Sequence, residues 1–366
     1  MPKPQQRELA RSGKGSTDSD SAKIHADVEP VIPDGGATGG PGPVPEDNLP
    51  GHHPAVEQDK PVAKFRRRAA KVADEARQHQ LEVRPLEIEA GGMTFTGLEA
   101  GGRGELVILL HGFPQDSTSW EHQLSALATA GYHAVAFDQR GYSPGARPPG
   151  ASAYRLDSLV EDVMAVAEEL HADRFHLVGH DWGGVVAWAV AARFPDTVAS
   201  LTVLSTPHPR AYTRSVVRST QLIRSGYVGL FALPVVPEVV LGAGRGFLLR
   251  RALTRSGLPG PAADRYVGHL GTRGLSAALN WYRAAGSALG GVDEVKVPTA
   301  YLWGDRDFAL GPTAARDTGR FVSGPYRFEV MEGAGHWLPE TRADEVTRHI
   351  LDHVGSAQGS RRAASG

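Results

Sequence analysis

Apolar and polar positions along the chain change period several times, and each change marks a different kind of element. Residues 86–89 and 93–98 alternate apolar and polar side chains, as the two strands of a hairpin do. Short apolar runs then recur at 106–110, 134–137, 175–178, 201–204, 300–303 and 327–331. They are too brief for helices and too continuous for strands with one solvated face. Between most of them lie stretches with apolar residues at helical spacing, at 120–130, 156–170, 185–193 and 341–354. Buried strands alternating with helices predict an α/β fold, with a mostly parallel sheet covered by helices on both faces.

The alternation lapses between about 207 and 290. There aromatic and apolar residues fall at helical spacing among Pro-rich turns (Leu233-Pro234, Val236-Pro237), with no strand pattern. Because the stretch separates two core strands, it reads as an inserted helical cap over 210–289. The core is thereby divided into 83–209 and 290–354. At the other extreme, residues 1–64 contain no Phe, Tyr or Trp and are crowded with Gly, Pro, Ser and Asp. Such a segment cannot bury enough apolar surface to offset its ordering entropy. A disordered tail over 1–82 is expected, ending in a basic run over 64–78. Residues 355–366 are expected as a flexible C-terminal tail.

Composition narrows the function more by exclusion than by suggestion. Of 366 residues, 41% are hydrophobic and 22% charged, and the formal net charge is −2. That balance gives no electrostatic case for nucleic acid or an anionic membrane as partner. The absence of cysteine rules out disulfides, thiolate catalysis and Cys-based metal sites, and fits a reducing, cytoplasmic setting. No apolar h-region follows Met1, and no run of about eighteen apolar residues occurs that would span a bilayer.

Against that background one stretch carries candidate chemistry. The run at 175–178 ends in Gly179-His180-Asp181-Trp182-Gly183-Gly184, and an Ala-rich helical stretch follows. A strand, a tight turn of small residues and a helix form the setting of a nucleophile elbow, with one side chain exposed at a strained corner. Here that residue is Asp181, whose carboxylate can attack carbon and leave an alkyl ester for water to cleave. Three other segments supply what such a nucleophile needs. His111-Gly112-Phe113-Pro114 follows an early strand, so the Phe113 and Trp182 amides are candidate oxyanion donors. A cis Phe113–Pro114 bond is expected at this turn, and His111 reads as structural. The run at 300–303 leads to two carboxylates, Asp305 and Asp307, either of which can orient an imidazole. Gly335-His336-Trp337 follows the last strand and provides that imidazole. Nucleophile, acid and histidine thus come in the order 181, 307, 336.

From residue 86 to 354 the chain resembles the α/β-hydrolase-fold epoxide hydrolases, the Asp-nucleophile branch that stands near the haloalkane dehalogenases. The resemblance rests on the His-Gly-Phe-Pro and Gly-His-Asp-Trp-Gly-Gly motifs, on Asp138-Gln139-Arg140-Gly141-Tyr142 and on the Gly-His-Trp segment. It implies Asp181 as nucleophile, Asp307 rather than Asp305 as the acid, and His336 as the base. In the cap, Leu279-Asn280-Trp281-Tyr282-Arg283 resembles the segment whose tyrosine donates to the epoxide oxygen. Tyr227, spaced from Phe231 and Pro234 as in that family, would be the second donor, with Tyr212 nearby. Trp182, Phe231 and Trp281 would contact substrate. The implied reaction converts a small-molecule epoxide and water to a vicinal diol and needs no metal or organic cofactor. Two alternatives stand beside it. A haloalkane dehalogenase shares the aspartate, histidine and tryptophan, although many carry Asn where this chain has Phe113. A non-catalytic ligand-binding protein of the same fold would have no use for an intact nucleophile, acid and base.

Overall fold

The computed structural model describes residues 81–365, apart from 217, 220, 222–225 and 288–290. The expected N-terminal tail lies outside these residues but for its last two. Eight strands form one sheet in the order β1-β2-β4-β3-β5-β6-β7-β8. They are β1 (Arg84–Ala90), β2 (Met93–Ala100), β3 (Leu106–Leu110), β4 (His133–Phe137), β5 (Phe175–His180), β6 (Val198–Leu204), β7 (Thr299–Gly304) and β8 (Tyr326–Met331). Strand β2 pairs antiparallel with β1 and β4, and every other pairing is parallel.

The strand period decides how the sheet is covered. Along β3, Leu106, Ile108 and Leu110 join one buried cluster, while Val107 and Leu109 join another on the opposite face. Val135 and Phe137 of β4 likewise face away from Ala134 and Ala136. The first cluster includes Val163 and Val166 of α2 (Leu156–Glu169) and Val186 and Val190 of α3 (Trp182–Arg193). The second includes Leu124 and Leu127 of α1 (Glu121–Thr129) and Val346, Ile350 and Val354 of α10 (Ala343–Ser365). Both faces of the central strands are apolar because both are covered.

One expectation is corrected. Residues 355–366 were expected as a flexible tail, but α10 continues to Ser365. Ala357 extends the buried stripe of Val346, Ile350 and Val354, and Gln358 Oε1 accepts a hydrogen bond from the Tyr132 hydroxyl at 3.2 Å. Gly355 and Gly359 lower helix propensity without removing that buried face.

Between β6 and β7 the chain inserts α4 (Pro209–Val216), α5 (Gly226–Ala232), α6 (Val236–Arg255) and α7 (Gly260–Arg283), with no strand among the described residues. Helix α6 breaks over Ala243–Gly246 and α7 breaks at Gly271. The short helices α8 (Pro312–Asp317) and α9 (Leu338–Thr341) complete the count of described α-helices.

The insert is tied to the core at a backbone carbonyl whose residue forms a buried ion pair within the core. Arg140, in the loop after β4, donates from Nε and Nη2 to the two oxygens of Asp162 on α2, at 2.8 and 2.6 Å, and from Nη1 to the Ala153 carbonyl. The Arg140 backbone carbonyl in turn accepts from Trp281 Nε1 of α7 at 2.8 Å. Asp162→Ala is expected to cost about 3–5 kcal/mol in urea unfolding, because a guanidinium stays buried without its counter-charge. A loss under about 1 kcal/mol would mean water reaches the site and the pair contributes little.

Candidate active site

Strand β5 delivers Asp181 to the carboxyl edge of the sheet, between its own last residue His180 and the first turn of α3. The backbone there sits at φ 49°, ψ −121°, outside the regions a side chain prefers. Holding it costs roughly 1–3 kcal/mol, a strain that surrounding packing must sustain. Two glycines make room for this corner. A Cβ on Gly183 would come within 2.3 Å of the Leu110 carbonyl oxygen, and one on Gly112 within 2.3 Å of the Asp181 Cβ.

The groups expected around Asp181 converge on it. The Phe113 amide donates to Asp181 Oδ1 at 2.9 Å, and the Phe113–Pro114 bond is cis, as expected. His336 Nε2 stands 3.6 Å from Asp181 Oδ2, while His336 Nδ1 donates to Asp307 Oδ2 at 2.8 Å. Asp307 is buried, and its other oxygen accepts from the Ala309 and Leu310 amides at 2.7 and 3.0 Å. Asp305 points outward instead and accepts from the Gly333 amide. Geometry therefore separates the two carboxylates that the sequence offered together. His111 is buried behind the turn, where its Nε2 accepts from the Gln139 amide and its Nδ1 faces the Gly112 carbonyl.

Burial and charge oppose each other at this site. Burial alone would lower the His336 imidazole, but the Asp307 carboxylate and the adjacent Asp181 push it up to about 10. Burial would raise the Asp181 carboxyl, yet His336 and the Phe113 amide bring it below the usual carboxylate value. The resting pair is thus aspartate and imidazolium. Behind them His180, lowered to about 4 by burial and by His336, is neutral. Its Nε2–H donates to the His336 backbone carbonyl at 2.9 Å, and the Ser205 hydroxyl donates to the same oxygen at 2.8 Å. These two supports escaped the sequence reading, although His180 stands within the elbow motif itself.

A cavity of about 110 Å³ opens above Asp181, lined chiefly by apolar side chains such as Val185, Pro207, Pro209 and Leu310. Trp182, Tyr227 and Tyr282 also line it, as does Tyr212. The Tyr227 and Tyr282 rings are 6.4 Å apart. Burial first, with the Asp181 charge adding, raises both phenols well above their ordinary value, so each remains a neutral donor. Phe231 and Trp281, expected as substrate contacts, are not in the lining. Phe231 packs on the Phe113 and Tyr282 rings at 5.5 and 5.0 Å. Trp281 is buried beside Tyr142, its N–H committed to the Arg140 carbonyl. Both rings thus stand directly behind lining residues, Phe231 against Tyr282 and Trp281 against Trp182. Among the described residues, no group of three or more His, Asp and Glu side chains is arranged to hold a metal ion.

Known proteins share this architecture. Residues 105–343 match the alpha/beta hydrolase fold family. Epoxide hydrolase A of Mycobacterium tuberculosis is 33% identical over 312 residues, covering 73% of this chain and 96% of that protein. Epoxide hydrolase 3 of Xenopus tropicalis is also 33% identical, covering 74% of this chain and 77% of its own length. Among solved structures, epoxide hydrolase A from Mycobacterium thermoresistibile superposes with a TM-score of 0.65 at 30% identity, over 74% of this chain and 98% of that one.

Proposed function

This chain belongs to the α/β-hydrolase-fold epoxide hydrolase family, and on that premise we propose that it converts an epoxide and water to a vicinal diol through an ester on Asp181. The observation that carries the reading is a single apolar cavity with a carboxylate on its floor and the phenols Tyr227 and Tyr282 in its wall. In this mechanism the Phe113 amide holds Oδ1, and Oδ2 attacks a ring carbon. The C–O bond of the epoxide breaks, and its oxygen takes a proton from a tyrosine of the cap, as the inserted helices then act. His336, oriented by Asp307, releases its resting proton to solvent once the Asp181 charge is gone, and then removes a proton from water, whose oxygen adds to the ester carbonyl of Asp181. The Phe113 and Trp182 amides hold the resulting oxyanion. Collapse expels the diol alkoxide, which takes its proton from His336, and the acid left on Asp181 returns its proton to the tyrosinate, restoring carboxylate and phenol.

The direct test is turnover of styrene oxide by the purified chain. Diol formation supports the reading. Halide release from haloalkanes with no diol from epoxides would assign the site to dehalogenation, and ligand binding without turnover to a non-catalytic role. The Cys-free composition supports a cytoplasmic setting.

Charge at the site predicts a pH signature. Alkylation turns Asp181 into a neutral ester and so removes one of the two charges that hold the His336 proton. The imidazole then titrates below its resting value of about 10. Ester hydrolysis needs the neutral imidazole, so its rate should rise with pH. Alkylation needs only ionised Asp181, whose lowered pKa keeps that step flat into mild acid. Rapid-quench mass spectrometry should find more alkylated enzyme as pH falls. A hydrolysis rate that is level or declining with pH would rule out His336 as the base.

A further inference from the structure

The near-zero net charge conceals a concentration of positive charge. Between Asp196 and Asp264 the sequence holds eight arginines and one acid, Glu238, and no lysine. Glu238 is already engaged by Arg283 at 2.7 Å. Four of those arginines, Arg245, Arg250, Arg251 and Arg255, are exposed on α6, where Arg250 pairs with Asp264. Large apolar side chains surface on the same part of the chain. Of ten exposed large hydrophobic residues among those described, eight fall between Leu230 and Leu248. Val235, Val239 and Phe247 are 66%, 64% and 58% exposed. Isolated surface aliphatics are ordinary, but eight within nineteen successive residues are not.

We propose that this face of the inserted helices docks on an anionic lipid bilayer, with the residues from Leu230 to Leu248 entering the interface and the α6 arginines meeting lipid phosphates. Apolar side chains beside arginines are the combination that a headgroup boundary accepts, since aliphatic groups leave water while guanidinium groups pair with phosphate. A second copy of the chain fits poorly, because two-fold pairing would bring two arginine-rich faces together. Nucleic acid would match the charge but leave the aliphatic side chains with nothing to stack on. No single described helix is long and apolar enough to cross a membrane, and α5 and α6 bend by 95° at their junction. Helix α5 carries Leu230 to the surface and Tyr227 and Val228 to the cavity lining. Docking therefore brings the wall of the cavity to the membrane, the phase in which an apolar substrate would dissolve.

The test is co-sedimentation of the full chain with vesicles of phosphatidylcholine, with and without phosphatidylglycerol, at low and high salt. Expected is partition onto the phosphatidylglycerol vesicles at least about tenfold above that onto phosphatidylcholine alone, weakened by salt. Phe247→Glu with Leu248→Glu should lower partition by about tenfold or more, and Arg251→Gln with Arg255→Gln should remove the preference for the anionic lipid. Diol formation from a water-soluble epoxide should not change in either variant. Wild-type protein that stays in the supernatant with anionic vesicles overturns the proposal. So does equal sedimentation of wild type and the Glu variant. A dimer that this variant dissociates, with no vesicle binding, would assign the face to a second copy. Tighter binding to duplex RNA than to vesicles would assign it to nucleic acid.

Discussion

In His336→Gln the tryptic peptide that carries Asp181 gains the mass of one epoxide molecule, and steady turnover falls by at least about a hundredfold. The two chemical steps draw on different groups. Attack on the ring uses the Asp181 carboxylate, which the Phe113 amide still orients at 2.9 Å. Hydrolysis uses the imidazole that Asp307 holds at 2.8 Å. Removing the imidazole stalls the second step and lets the ester accumulate. Glutamine also takes away the positive partner of Asp181, which should slow attack somewhat while leaving the carboxylate ionised, because the amide donor remains. Asp307→Asn should produce a weaker form of the same trap, since His336 loses its orienting acceptor. Intact-protein and peptide mass spectrometry measure both. If the Asp181 peptide stays unmodified under saturating substrate, water attacks the epoxide directly and the covalent route is excluded.

Losing both hydroxyls in Tyr227→Phe/Tyr282→Phe should nearly abolish ring opening while the melting temperature barely moves. Charge develops on the epoxide oxygen as the ring opens, and the cavity offers that oxygen few other polar groups. Each single change should lower turnover by roughly tenfold or more, about 1.4 kcal/mol in the barrier. The remaining phenol can compensate in part, so the double effect should exceed either single one. Tyr282 should matter more, because it is buried beneath the Phe113, Trp182 and Phe231 rings, whereas no residue of α5, including Tyr227, is fully buried. Stopped-flow alkylation rates separate this effect from hydrolysis. Full alkylation by the double variant would make the tyrosines packing residues and leave the ring oxygen to another donor, with Tyr212 the next to replace.

Much of this molecule is written in local pattern. Apolar runs of four or five residues fall within β3, β5, β6 and β7, whose every residue is buried, because only a strand covered on both faces can use a continuous apolar run. The elbow was legible for the same reason. Glycines flank the corner at 179, 183 and 184, and Gly183 sits where any side chain would strike the Leu110 carbonyl. The C-terminal helix was less legible. Gly355 and Gly359 interrupt the local signal, and the buried contacts that extend α10 come from Tyr132, far away in sequence. The basic, apolar surface of the insert can be counted residue by residue, but the whole-chain charge averages it away.

Local pattern thus determined the elements, their order and the residue types that chemistry requires, since the period of burial and the geometry of a tight turn depend on neighbours. Which residues meet is another matter, because it depends on how the sheet closes. Only with β5, β6, β7 and β8 laid side by side do Asp181 and Asp307 both come within ion-pair distance of His336. The same packing buries Asp307 and leaves Asp305 in solvent. It commits the Trp281 N–H to a backbone carbonyl and leaves Tyr282 facing the cavity. It sets His180 under the His336 loop, a contact across 156 residues of chain. Pairings at such separations have no local signature, because their free energy arises only when the intervening chain has packed.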